Sequence, residues 1–192
     1  MKPILIGLHG PTGVGKDTVC NIIRLISPVE TQRLAFGDAL KAAVKAAFGL
    51  SDEWLQDDLK TVTHPYWKLT PREMFQLAGT EAFRGTFGAD FWVRRLEMAM
   101  EADTQYFGMF VVTDVRFESE ANWIRERGGM LVHMSGPQRR ADVSHAHSSN
   151  TPLPKVRGDY NLPNLGSLKM LNDDVRDLVD RVVAAARETA NA

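Results

Sequence analysis

Apolar positions fall along this chain in two rhythms, short unbroken runs and stripes at helical spacing, and the two alternate. Residues 3–8, PILIGL, are a run of the first kind, which suits a buried parallel strand. Val19, Ile22, Ile23 and Ile26 then recur at helical spacing, predicting a helix from Lys16 to Ile26. A weaker strand is expected around Arg33 to Phe36. The helix after it starts near Gly37-Asp38, with Ala39, Leu40, Ala43, Val44, Ala47 and Phe48 on one side and Lys41 and Lys45 on the other. At residues 70–73, TPRE, Thr70 reads as an N-cap, Pro71 as the first helical residue and Glu73 as the acid reaching back, a capping box that opens a helix. Another helix is expected from about Asp90 to Met100, so that residues 38–100 form a mostly helical insertion between two core strands. Met109 to Thr113 is the next strand, Glu118 to Arg127 a helix closed by Gly128-Gly129, and Met130 to Met134 a further strand. Residues 135–150 turn polar with no apolar period, as a mobile loop would, and a proline-punctuated link runs on to about Pro163. Leu168, Leu171, Val175, Leu178, Val179 and Val182 then share one stripe, predicting a helix from Ser167 to about Ala186.

Alternating strands and helices imply an α/β fold, a parallel sheet covered on both faces with ligands at the carboxyl ends of its strands. The length of 192 residues and 44% hydrophobic content fit one domain, residues 1–192, with a real core. A net charge of −1 gives no global attraction to a nucleic acid polymer or a membrane surface, which leaves small polyanions as the natural ligands. The single cysteine, Cys20, excludes an internal disulfide and a thiolate zinc site. The opening apolar run is too short for a signal peptide and no later run approaches a membrane span, so the sequence reads as a soluble cytoplasmic protein, in a host's cytoplasm if the gene is a phage's.

Candidate chemistry begins at residues 10–18, GPTGVGKDT, the spacing of a phosphate-binding loop between a strand and a helix. Gly10, Gly13 and Gly15 permit tight turns, so that the N–H groups of the Gly10, Thr12, Gly13, Val14 and Gly15 stretch and the helix terminus can face a polyphosphate, to which Lys16 adds a cation. Asp17 stands where the pattern has Ser or Thr. A carboxylate beside phosphates is repelled unless a cation lies between them, so Asp17 is expected to hold Mg2+, and Thr18 remains available to a phosphate. Asp114, at the end of the MFVVT run, is the candidate second acid near the metal, with Arg116 two residues on. Glu120 sits on the first turn of a helix, where a capping role competes with a functional one.

Within the insertion, Arg72 and Gln76 share a helix face, with Met74, Leu77 and Ala78 directed elsewhere, and Arg84 follows a glycine-bearing turn, so the two guanidiniums could converge on an acceptor phosphate. Trp67, Phe75, Phe87 and Trp92 offer a ring to stack on a base, most of them being core. Arg139 and Arg140 lie on the polar loop, from which they could close over phosphates. His145 and His147 have no evident third metal ligand, and with His9 and Cys20 they are given no chemistry.

Together GVGKDT (13–18), LAFGDALK (34–41), TPREMFQLAGTEAFR (70–84), TDVRFESEANWIRERGG (113–129), SHAHSS (144–149) and NLGSL (164–168) resemble the phage-type deoxynucleoside monophosphate kinases, a branch of the P-loop kinases. Ala39 and Ser149 depart from residues common in that family, a proline and an acid. The resemblance implies a three-layer α/β/α core with a helical acceptor-binding insertion and an arginine-bearing lid at 135–150. It implies ATP and Mg2+ on the donor side and a deoxynucleoside monophosphate (dNMP) as acceptor, and it hints at a homodimer. The matched acceptor-side positions are Asp38, Lys41, Arg72, Gln76, Arg84, Trp92, Asp114 and Arg116, and the lid positions Arg139 or Arg140. The expected reaction moves the ATP γ-phosphoryl group to the acceptor's 5′-phosphate. Its rivals are a P-loop kinase of another small metabolite and a nucleotide-dependent switch or assembly protein.

Overall fold

The computed structural model describes residues 2–56, 58–137 and 152–191. The lid positions Arg139 and Arg140, with His145 and His147, lie outside the described residues. The chain divides into two compact units, residues 1–35 with 98–192, and residues 36–97.

The first unit is built on five parallel strands: β1 (Ile4–His9), β2 (Thr31–Leu34), β3 (Met109–Val115), β4 (Met130–Ser135) and β5 (Tyr160–Pro163), in the order β2-β3-β1-β4-β5. β1 lies at the centre, Ile4 opposite Met109 on one side and Ile6 opposite Met130 on the other. Parallel strands need crossovers, and helices supply them. The core packs Ile6, Leu8, Met109, Val111, Val132 and Leu162 against α1 (Lys16–Ile26) and α7 (Leu168–Asn191). Helix α6 (Glu118–Glu126) buries Ala121, Trp123 and Ile124, and a Cβ on Gly7 of β1 would clash with the Ile124 side chain.

Two expectations need correction here. β2 begins at Thr31 and ends at Leu34, with Phe36 already helical, because its Thr31 and Leu34 are the buried positions while Gln32 and Arg33 are only half-covered on an edge strand. The link before α7 contains β5, whose only buried residue is Leu162 and which, among the described residues, pairs with β4 alone.

The second unit is helical: α2 (Phe36–Phe48), a short 3-10 turn (Asp52–Leu55), α3 (Pro71–Gln76), a π-helix (Leu77–Arg84), α4 (Gly85–Phe87) and the start of α5 (Phe91–Asp103), which continues into the first unit. Val44, Leu50 and Met74 form its core with Leu40, Phe48, Trp54 and Leu69 around them. Thr70 caps α3 as the TPRE pattern requires: its hydroxyl accepts the Glu73 N–H at 3.2 Å, and Glu73 accepts the Thr70 N–H at 2.8 Å. The expected turn at Gly79 is absent, since the chain runs helically from Pro71 through Phe87. Gly79 is buried inside that run because a Cβ there would lie 2.6 Å from Leu40 of α2, and Leu77, expected inward, is 49% exposed.

Candidate phosphate-binding site

Because the strands are parallel, the carboxyl ends of β1, β3 and β4 meet at one edge, and the candidate residues of the first unit gather there. The loop after β1 turns into α1 at Gly15, whose φ of 101° is a conformation that side-chain-bearing residues avoid. A Cβ at Gly15 would also approach the Asn164 side-chain nitrogen to 2.8 Å. The first helical bond of α1 runs from the Val19 N–H to the Gly15 carbonyl at 2.9 Å, so the N–H groups before it have no intrahelical acceptor and face the loop. Such a terminus is a ready anion site. Val14 contributes backbone only, its side chain being 1% exposed, while Thr12 and Gly13 are half-buried and Thr18 is exposed on the first turn.

Lys16 folds back over this loop and donates to the carbonyls of Gly10 at 2.7 Å and Pro11 at 2.8 Å. Burial, reinforced by Arg116, lowers its pKa to about 8 against the opposing pull of Asp17 and Asp114. The same interactions show that Lys16, Asp17, Asp114 and Arg116 share one electrostatic neighbourhood. Asp17 is largely exposed, 3.8 Å from the Arg33 guanidinium on β2. Asp114 is half-buried near the end of β3, and Arg116 is exposed just beyond it.

The chain after Asp114 is held by Glu120. This buried carboxylate accepts the N–H groups of Arg116 at 2.8 Å and Phe117 at 3.1 Å, a structural role at the start of α6. Cys20 is buried with its thiol pKa raised by burial to about 11, an inert packing residue.

Two contributors were not assigned a part from the sequence. The Asn164 side-chain N–H donates to the Val14 carbonyl at 2.9 Å, and its backbone N–H donates to Ser135 at 2.6 Å. His9, the last residue of β1, lies 2.9 Å through Nδ1 from the Val115 carbonyl and accepts the Leu153 N–H on Nε2 at 3.3 Å. Burial above all holds its pKa below the ordinary histidine value, with His133, Lys16 and Arg116 acting in the same sense. His9 thereby ties the start of the loop to the end of β3. Both residues act through partners more than 100 positions away, and only the NLGSL block gave a signal for Asn164.

In the helical unit, Asp38 and Lys41 face each other at 3.8 Å on the first turns of α2, both partly exposed. Arg72, Gln76 and Arg84 are half-buried on the continuous helix that starts at Pro71. Twelve positions separate the two arginines along that helix. Arg84 donates to the Ala89 carbonyl at 2.7 Å, onward past the helix end. The structure thus strings these side chains along one helix. Trp92 is 5% exposed and its indole N–H donates to the Gly79 carbonyl at 3.0 Å within the Phe83, Phe91 and Trp92 cluster.

For a metal, the donor set on this edge is Asp17 and Asp114. Among the described residues no group of three or more His, Cys, Asp or Glu side chains is gathered. Mg2+ takes hard oxygen ligands, keeps several waters and is commonly held by one or two carboxylates together with a substrate's phosphates, so these two acids fit it.

Known proteins resemble this chain over most of its length. The model of the deoxynucleotide monophosphate kinase family matches residues 55–175. A protein of Acanthamoeba polyphaga mimivirus named as a deoxynucleotide monophosphate kinase is 33% identical over 159 residues, covering 74% of this chain and 79% of its own. The deoxynucleoside-5′-monophosphate kinase of Escherichia phage T5 is 22% identical over 225 residues, covering 84% of this chain and 89% of its own. Among solved structures, a gluconokinase from Sinorhizobium meliloti superposes with a TM-score of 0.51 at 15% identity, covering 98% of both chains, a likeness of fold. A phosphate-binding loop on a parallel α/β sheet, matched along most of its length by these relatives, places the chain in the deoxynucleotide monophosphate kinase family.

Proposed function

We propose that this kinase transfers the γ-phosphoryl group of ATP to the 5′-phosphate of a dNMP, giving ADP and a deoxynucleoside diphosphate. The observation that carries the donor half is the convergence of Lys16, Asp17, Asp114 and Arg116 around a glycine-bounded helix terminus. In the step itself a bond forms between an acceptor phosphate oxygen and the γ-phosphorus as the bond from that phosphorus to the bridging oxygen breaks. The acceptor needs no general base, since a phosphate monoester with a second pKa of about 6 is already largely dianionic at neutral pH. What the chain must supply is alignment and positive charge.

The N–H groups from Gly13 to Lys16 cradle the donor's phosphates, and Lys16 exchanges the Gly10 and Pro11 carbonyls for phosphate oxygens. Asp17 and Asp114 would hold Mg2+, which when bound would neutralise phosphate charge. Arg116 adds a guanidinium beside Lys16, and Arg139 or Arg140 is the proposed lid cation. On the helical unit, Arg72, Gln76 and Arg84 contact the acceptor, with Asp38 and Lys41 as further acceptor-side positions.

A coupled ADP-release assay over ribo- and deoxynucleoside monophosphates tests this reading. ADP should appear only with a nucleoside monophosphate present, deoxynucleotides should be turned over, and Lys16→Ala should lose about 10³-fold or more in rate while remaining folded. ADP release independent of any acceptor, or turnover of no monophosphate, overturns the proposal.

A further inference from the structure

The helix that opens at Pro71 carries a feature with no structural need evident in its own capping. Its middle section, Leu77–Arg84, is a π-helix, and the Gly85 N–H reaches back to the Thr80 carbonyl in the i→i+5 pattern. In an α-helix a four-residue step overshoots one turn by about 40°, so three such steps carry a stripe about 120° round the axis. A π-helix holds more than four residues per turn, so the same step falls short and offsets the overshoot.

Burial shows the result. Arg72, Gln76, Thr80 and Arg84 are all half-buried, while Glu73, Leu77, Glu81 and Gly85 beside them are all exposed. Stripes of period four therefore stay straight over thirteen residues. Arg72 and Arg84, the outer members, carry charge. Gln76 and Thr80, the inner members, are neutral, and among the described residues neither side chain has a hydrogen-bond partner.

We infer that Thr80 is a further acceptor-contact residue and that the π-helix is the device that keeps it in line with Arg72, Gln76 and Arg84. This rests on the reading of the helix as the acceptor-binding face. Two neutral hydrogen-bonding groups between two cations suit a nucleoside monophosphate lying along the helix, its phosphate at a cationic end and its neutral sugar or base edge against Gln76 and Thr80. The Thr80 hydroxyl would then exchange hydrogen bonds with a neutral oxygen or nitrogen of the acceptor.

Steady-state kinetics on the intact enzyme test this. Thr80→Val, which keeps shape and removes the hydroxyl, should raise the KM for the dNMP about fivefold to tenfold with the KM for ATP unchanged, and Thr80→Ser should restore the wild-type value. An acceptor KM unmoved in Thr80→Val while Arg72→Ala raises it strongly overturns the assignment of Thr80 alone. An acceptor KM unmoved in both variants overturns the acceptor reading of the helix. Equal rises in both substrates' KM that Thr80→Ser fails to reverse would mark a structural role and overturn the inference as well.

Discussion

The Lys16 ammonium is held by two carbonyls of its own loop, yet burial and the nearby Arg116 bring its pKa down to about 8. Below that pH it offers a polyphosphate a full cation. Above it the neutral amine does not, so ATP affinity measured by calorimetry should fall as pH rises through about 8, with uptake of a proton on binding in that range. Lys16→Met should lack this limb. Folding stability moves the opposite way: an unfolded lysine keeps its proton to about 10.5, so between 8 and 10.5 the unfolded state binds more protons and this residue's contribution improves as pH rises. Lys16 was readable in the sequence because its role depends on neighbours within one loop. The Asp17 reading came from the charge argument alone, and what the structure adds is Arg33, on a strand whose polar composition had hidden both its bounds and its closeness to the loop.

At the level of elements, the phosphate-binding loop is finished by a residue 150 positions away. In a trans peptide the carbonyl and the following N–H point in opposite directions. By taking the Val14 carbonyl, Asn164 aims the Gly15 N–H the other way, toward the side where a phosphate would lie. Asn164→Ala should therefore raise the KM for ATP several-fold, by the loss of about one oriented hydrogen bond, and leave the acceptor's KM nearly unchanged. Helices were legible where an apolar stripe met a strong signal: the capping box of α3 and the stripe of α7 lie where the pattern placed them. The π-helix was not, because a glycine beside a shifted stripe reads locally as a turn, whereas here that glycine admits Leu40. β5 escaped notice because an edge strand with a single buried side chain has no period to detect.

On the scale of the whole sheet unit, one buried polar network joins elements that the sequence keeps apart. Asp159 accepts a two-pronged bond from Arg125 of α6 at 3.1 and 2.7 Å, the Val156 N–H at 2.9 Å and His133 Nε2 of β4 at 2.8 Å. Burial pushes against its charge, but bonds from Arg125, Val156 and His133 prevail and hold its pKa at about 2. A depressed carboxyl pKa stabilises the fold at neutral pH, and that contribution is lost as pH falls from about 3.8 through about 2. Asp159→Asn leaves Arg125 half-answered in a buried setting and should cost about 3 kcal/mol in denaturant unfolding at pH 7, with the acid-sensitive part of the wild-type profile reduced.

The position of β1 has a bearing on synthesis. This strand is synthesised before both of its partners, which begin at Met109 and Met130, and among the described residues no hairpin pairs with it meanwhile. At roughly 5–20 residues per second its backbone waits about 5–20 s for a neighbour. The apolar segment ILIGLH is thus born unpaired, and growth temperature and chaperone supply during translation should govern soluble yield more strongly than the stability of the finished enzyme does.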